Sequence, residues 1–181
     1  MRWERLFDDL EAQADAAAAR ELADEVDERS RIEQGRLPLL DRLRAASGTA
    51  VTLGCAGERV SGRVQRVAAD AVVLDDGAGD VLVAAGALDW VLGLGRGAIP
   101  PEAGRVAAGL GMRSLLRAVA RDRNPVRLRL RDGSSPSGTI DTVGQDWFEL
   151  AEHPAGEPRR SAAVTQVRVV ALGAVVTVRL G

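Results

Sequence analysis

The residues best suited to chemistry in this sequence are arginines. Six fall within fifteen residues, and Arg127, Arg129 and Arg131 alternate with apolar residues, so they share one face of a predicted strand. Guanidinium groups at this density bind phosphates through charge and bidentate hydrogen bonds. Trp147 adds an aromatic face on which a base can stack. The candidate nucleic-acid-binding residues are Arg117, Arg121, Arg123, Arg127, Arg129, Arg131, Trp147, Arg159 and Arg160.

The same arginines have a second interpretation as a solvated or protein-docking face, partly neutralised by neighbouring aspartates. Charge is unevenly spread along the chain: residues 1–33 carry a net charge of −6, and residues 112–181 carry +4. An acidic N-terminal segment can therefore fold back on the basic segment, or on that of a second copy, through an attraction that salt weakens. Both interpretations stay open at this point.

The residue types that are rare or missing exclude several kinds of site. The chain has no Lys, which excludes Schiff-base chemistry and phosphate-loop lysines. One Cys and one His permit neither an internal disulfide nor a four-ligand Cys/His zinc site. We expect Cys55 to be a small buried residue and His153, in a Pro/Gly-rich stretch, to be a solvated loop residue. We predict no enzyme activity, no metal and no cofactor.

Two apolar runs could be mistaken for membrane spans. Residues 81–95 and 164–180 are both shorter than a bilayer requires, and Asp89, Arg168 and Arg179 interrupt them. The first nine residues alternate charged and apolar types, unlike a signal peptide. With 46% apolar and 28% charged residues, the composition is that of a soluble globular protein, and we expect it in the cytoplasm.

Helical patterns occur in three places. Residues 3–34 contain no Gly or Pro and carry an alanine-rich apolar stripe, which predicts a long N-terminal helix suited to a thin coiled-coil contact. Shorter helices are predicted over residues 37–46 and 112–122. Residues 96–111 are rich in Gly and Pro and predict a linker.

An internal repeat is the most informative feature of the sequence. Residues 51–74 match residues 126–150, and residues 84–94 match residues 162–172 at a spacing of 78. This spacing predicts a hairpin loop two residues longer in the second copy. The clearest aligned pairs are Gly57 and Gly133, Gly62 and Gly138, and Asp70 and Asp146.

Each copy predicts a helix followed by about five short strands, and glycines inside the strands are typical of sharply bent small barrels. The expected fold class is α+β, mostly β: a long N-terminal helix followed by two tandem five-stranded barrels, each with a leading helix. The predicted domains are an acidic helical arm (1–35), a first barrel with its leading helix (36–95), a linker (96–111) and a second, basic barrel (112–181).

The repeated motif resembles that of the Sm-like (LSm and Hfq) proteins, which are small SH3-like barrels. In the second copy the motif is carried by Val126, Leu128, Leu130, Asp132, Gly133, Gly138, Ile140, Asp146, Phe148 and Leu150. The resemblance implies a barrel, RNA binding and self-association through strand edges. The Asn and Arg-Gly with which that family contacts bases are absent here.

The whole chain also resembles a family from high-GC bacteria whose members often carry a Fis-type transcriptional-regulator label. A Fis-type protein requires a C-terminal helix-turn-helix, whereas Val167, Val169, Leu172, Val175 and Val178 predict strands.

Two functions follow from these patterns. The first is a non-catalytic regulator that binds single-stranded nucleic acid, with RNA favoured over DNA, through the basic second barrel. The alternative is a protein-interaction and assembly adaptor that uses barrel edges and the acidic helix, without nucleic-acid binding.

Overall fold

The computed structural model describes residues 21–22, 25, 27–101, 110–154 and 164–180. Contacts divide the chain into two units, Met1–Pro38 and Leu39–Gly181, and the second contains all the strands described below. The helices in the described residues are α1 (27–35), α2 (Leu39–Ala45) and α3 (Met112–Asp122). None of the helices in these ranges is long and apolar enough to cross a membrane.

The prediction of one long N-terminal helix is wrong. In the part of the N-terminal region that the structure describes, the continuous helix is the short α1, and residues 1–20, 23–24 and 26 of the predicted arm lie outside the described residues. Leu22 and Ile32, two apolar residues of this region, are 62% and 49% exposed. Most helical stability in proteins comes from burying an apolar face. A thin, exposed apolar stripe therefore stabilises a helix by little more than the intrinsic helix propensity of its residues.

Ten antiparallel strands form one sheet in the order β5-β1-β2-β3-β4-β10-β6-β7-β8-β9. The strands are β1 (Ala50–Cys55), β2 (Glu58–Val67), β3 (Ala71–Asp75), β4 (Asp80–Ala84), β5 (Leu88–Leu92), β6 (Pro125–Leu130), β7 (Ser137–Val143), β8 (Trp147–Glu152), β9 (Gln166–Ala171) and β10 (Val175–Leu180).

The prediction of two separate barrels is also wrong, because this sheet is continuous from one half of the chain to the other. Strand β4 of the first half pairs with β10 of the second, and buried residues of both halves belong to a single core. A strand at an open edge leaves its N–H and C=O groups unpaired, so joining two edges satisfies both. We call the β4–β10 pairing the seam.

The internal repeat is visible in the strand pairing. The halves have matching orders, β5-β1-β2-β3-β4 and β10-β6-β7-β8-β9, and β2–β3 has the same register and bulge as β7–β8 at a spacing of 76. The equivalent 3-10 turns, Ala85–Ala87 and Leu172–Ala174, are 87 residues apart. The loop before β9 is therefore eleven residues longer, not two, because Ala/Val-rich stretches match at several spacings.

The predicted alternation along β6 is confirmed. Val126, Leu128 and Leu130 are buried, whereas Arg127 lies on the outer face. Phe148 is the largest fully buried side chain and belongs to the same core. The strand predicted near the C-terminus is β10, and four of its six residues are buried.

The two glycines inside strands mark close backbone approaches, as expected. A Cβ atom on Gly62 would lie 2.6 Å from the carbonyl oxygen of Asp75, and one on Gly138 would lie 2.1 Å from that of Ala151. These carbonyls belong to equivalent positions of β3 and β8, so both halves bend in the same way against the neighbouring strand.

Candidate functional site

Arg129, at the centre of the predicted patch, is bonded within the molecule. Its Nε lies 2.8 Å from Glu58 Oε1, an acid of the first half. It also donates hydrogen bonds to the Gly133 carbonyl at 2.5 Å and to Ser135 Oγ at 3.2 Å. The guanidinium is therefore already occupied by partners in its own chain.

Two more arginines of the second half bond to acceptors in the first. Arg131 donates to the Gly86 carbonyl at 2.6 Å, and also to the Gly173 carbonyl at 2.8 Å in its own half. Arg179, on the neighbouring strand β10, forms an ion pair with Asp76. The hydrogen bond from Arg179 lowers the pKa of Asp76, with help from backbone N–H groups. Together with Arg129, these side chains bond the second half of the chain to the first.

Four predicted arginines remain on the surface. Arg117 and Arg121 lie on α3, Arg123 caps its C-terminus in the left-handed conformation, and Arg127 lies on β6; all four are exposed. Arg121 has only a weak contact with Asp122 at 3.4 Å. Arg159 and Arg160 lie outside the described residues.

Trp147 begins β8 and is half-buried. A Cβ atom on Gly144 would lie 2.5 Å from the indole Cε2, so the ring is packed against the backbone of that glycine. One ring face is therefore already covered, which limits its use as a platform for a stacked base.

His153 is buried, so the expectation of a solvated loop residue is wrong. Thr139 Oγ1 lies 2.9 Å from its Nε2, and the Pro154 carbonyl lies 3.1 Å from its Nδ1. Since a carbonyl only accepts, Nδ1 donates to Pro154, and in the neutral ring Nε2 accepts from the Thr139 hydroxyl. Cys55 is fully buried as expected, and burial raises the pKa of its thiol, aided by Glu58 and Asp89.

No described strand pairs with the outer side of either terminal strand of the sheet, and both strands carry exposed apolar side chains. Strand β9 pairs only with β8, and its Val167 and Val169 are 57% and 64% exposed. Strand β5 pairs only with β1, and its Trp90 and Leu92 are 39% and 61% exposed. Neither strand contains Lys or Pro, residues that commonly protect sheet edges from pairing.

The repeat relates these edges to the seam. At the spacing of 87, β9 is the equivalent of β4 and β5 is the equivalent of β10. In the seam Val178 pairs with Leu82, and Leu82 is only 8% exposed. Its equivalent Val169 is 64% exposed, and no described strand pairs with the outer side of β9.

Sequence patterns located the arginine patch but missed its partners. Glu58 and Asp76 lie far from β6 and β10 in the chain, and nothing in their local sequence pairs them with arginines. The exposed stripe on β9 has a visible signal, since Val167 and Val169 are two residues apart. What the pattern lacks is any sign that no described strand pairs with the outer side of β9.

Neither a protein-family model nor a curated protein significantly matches this chain.

Proposed function

We propose that this protein is a non-catalytic assembly adaptor of the cytoplasm, whose sheet edges join one copy to the next. In this arrangement β9 of one copy pairs antiparallel with β5 of another and extends the sheet across the chain boundary. The single, unpaired Cys55 suits a reducing compartment.

The observation that carries this proposal is the seam. Within one chain, β4 already pairs with β10. The paired residues are Val83 with Thr177, Leu82 with Val178, and Val81 with Arg179. The free edges β9 and β5 are the repeat equivalents of these two strands. Two surfaces that join within the chain are therefore available again at its ends.

The repeat also supplies a register for the joint. Each seam pair has one residue on β4 and one on β10. Adding 87 to the β4 residue and subtracting 87 from the β10 residue gives the equivalent pairs between β9 and β5: Val170 with Trp90, Val169 with Val91, and Arg168 with Leu92. The exposed Val169 then receives the cover that Leu82 has in the seam. Burying apolar surface of this kind contributes about 25 cal/mol per Å² of area removed from water.

The joint is head-to-tail, because it uses two different edges of each copy. Such contacts produce a closed ring when the rotation between copies closes and an open filament when it does not. Either product presents many copies of the same outer surface to partner proteins, which is how an assembly adaptor works.

The size of the protein in solution tests this proposal. We expect light scattering to give a mass above that of the 19.1 kDa chain, increasing with concentration or reaching one closed value. Val169→Lys should reduce the mass to that of one copy, because a charged side chain at a sheet edge blocks pairing. Ile99→Lys, at a 49% exposed position outside every strand, is the matched control.

Cross-linking tests the register. A chain carrying Val91→Cys and Val169→Cys should form disulfide-linked multimers on oxidation, because directly opposite residues bring Cβ atoms within bridging distance. A chain carrying Val91→Cys and Val167→Cys places the second thiol two residues out of register and should link poorly. A monomer at all concentrations, or equal linking by both chains, would overturn the proposal.

The nucleic-acid function stays a prediction, and one observation favours it as a second candidate. Arg117, Arg123 and Arg127 make no ion pair or side-chain hydrogen bond with a described residue. Titration of labelled single-stranded RNA at low and near-physiological salt measures it. If these arginines bind phosphates, Arg127→Ala should weaken binding and reduce its salt dependence. No binding at low salt would eliminate this candidate.

A further inference from the structure

A groove of about 610 Å³ lies beside the seam, between α3 and one face of the sheet. Its floor is a row of direct cross-strand neighbours on β2, β3, β4 and β10, namely Arg66, Val73, Leu82 and Val178. Leu180, two residues beyond Val178, extends this floor. The volume falls within the range of small-ligand sites, which commonly form where two structural units meet.

One stripe of α3 forms the wall of the groove. Leu115, Ala118, Val119 and Asp122 are spaced at i, i+3, i+4 and i+7, so they lie on one helix face. Leu115 and Val119 are only half-buried, although they face an apolar floor. Helix and sheet thus leave an apolar slot between them that their own side chains do not fill.

Two opposite charges lie beside the apolar residues of the floor. Arg66, on β2, and Asp80, at the start of β4, both line the groove, and neither side chain bonds to another described residue. They are two strands apart, and Asp80 is two residues from the floor row along its strand. Sheet spacings put their Cα atoms roughly 12 Å apart. The carboxylate of Asp122, by contrast, has the Arg121 guanidinium 3.4 Å away.

The second half does not repeat this chemistry. The equivalents of Arg66, Val73 and Leu82 are Thr142, Glu149 and Val169, which are also direct cross-strand neighbours. The fold therefore tolerates an uncharged residue in place of Arg66 and a carboxylate in place of Val73. The guanidinium of Arg66 and the apolar side chain of Val73 are therefore not required by the architecture.

From these observations we propose that the groove binds short apolar peptides with both termini free. The peptide carboxylate bonds to Arg66, its ammonium group bonds to Asp80, and its apolar side chains cover Val73 and Leu82. An extended residue spans about 3.4 Å, so three or four residues bridge the two charges. The side-chain amides that line the groove and can bond to peptide groups are those of Gln65 and Asn124.

Calorimetric titration with the tetrapeptide Leu-Ala-Ala-Leu tests this site. We expect one saturable site per chain with a Kd below about 1 mM. Amidating the C-terminus should weaken binding roughly tenfold, because it removes a charge-assisted hydrogen bond. Acetylating the N-terminus should also weaken binding roughly tenfold, because it removes the ammonium group that bonds to Asp80. These two comparisons use the unmodified protein, so they do not depend on how any variant folds.

Protein variants then assign each peptide end to its residue. In Arg66→Gln, binding of the free peptide should fall roughly tenfold, and C-terminal amidation should cause little further loss. In Asp80→Asn, N-terminal acetylation should likewise have no additional effect. Arg63→Gln is the matched control: Arg63 is an exposed arginine of the same strand that bonds to the Gly48 carbonyl, outside the groove.

A third variant tests the apolar floor. Val73→Glu gives the first half the residue that the second half already carries at the equivalent position, so the protein should fold and lose the peptide. The proposal is overturned if the free peptide does not bind, or if Arg63→Gln weakens binding as much as Arg66→Gln does. It is also overturned if amidation of the peptide still weakens its binding to the Arg66→Gln variant tenfold. The groove belongs to a single copy, so these results do not depend on edge pairing.

Discussion

The carboxylate of Asp70 accepts a hydrogen bond of 2.5 Å from the backbone N–H of Met112. Asp70 lies in the turn between β2 and β3 of the first half, and Met112 is the first residue of α3, which leads the second half. A side chain 42 residues away thus caps a helix whose own N-cap, Gly111, has no side chain to do so. The contact positions α3 at the wall of the groove.

Removing this cap should destabilise the protein measurably. We expect Asp70→Ala to lower the free energy of unfolding by about 1 kcal/mol, the usual effect of losing an N-cap acceptor. Asp146→Ala is the control, because Asp146 is the repeat equivalent and its exposed carboxylate has no bond to a described residue. Urea unfolding measures both variants. Equal losses would show that the cap contributes nothing.

The ion pair between Glu58 and Arg129 should contribute modestly to the joining of the halves. Its side chains are 43% and 29% exposed, so a double-mutant cycle should give a coupling of about 0.3–1 kcal/mol. Arg127→Ala, on the same strand face, should show no coupling to Glu58→Ala. A coupling for Arg129 as small as that for Arg127 would contradict the role assigned to this pair.

Gly138 should tolerate no side chain. A Cβ atom at this position would lie 2.1 Å from the Ala151 carbonyl oxygen, which is a clash with backbone, so Gly138→Ala should cost about 2 kcal/mol or more. A fall in Tm of roughly 5 °C is expected for a chain of this size. Gly173→Ala, where nothing lies within 4 Å, should leave Tm nearly unchanged. Similar Tm values for the two variants would contradict the close approach.

Stability should decrease in acid. The hydrogen bond from Arg179 lowers the pKa of Asp76. Burial alone would raise the pKa of Glu152, but the hydrogen bonds from Arg168 and Gln166 outweigh burial, so the pKa of Glu152 is also lowered. Groups with lowered folded pKa values contribute stability above the unfolded pKa and lose it as pH falls through the folded one. Unfolding free energies should therefore be level near neutrality and fall below about pH 4.

The Asp76→Asn variant isolates one of these groups. It should be less stable than the parent protein at pH 7 and should lose less stability between pH 5 and pH 2, since one titrating partner has gone. Asp146→Asn serves as the comparison and should follow the parent curve. A parent protein whose stability is unchanged at pH 2 would contradict both ion pairs.

Much of the local structure could be predicted from the residues themselves. Period-2 alternation located β6 and the C-terminal strands, and the glycines aligned by the repeat, Gly62 and Gly138, are the points of closest backbone approach. Short-range patterns succeed here because the alternation of side chains along a strand and the bend at a glycine are local properties of the chain. The small, buried Cys55 followed from the same logic.

The candidate sites were less accessible to sequence reasoning. Arg129 and Arg131 looked like a phosphate-binding face, because no local pattern shows that they bond to Glu58 and to the Gly86 carbonyl of the first half. The groove was missed for the same reason: Arg66, Val73, Leu82 and Val178 become neighbours only when four strands align.

The sequence by itself determined the repeat, most of the strands and, in β6, which side chains face the core. Tertiary structure decided that the two halves share one sheet, because a strand edge specifies pairing but not its partner. Among the described residues, β5 and β9 each pair with a strand on one side alone, whereas β4 and β10 pair with each other. Backbone hydrogen-bonding capacity is identical in all four strands, so only the folded arrangement distinguishes a joined edge from a free one.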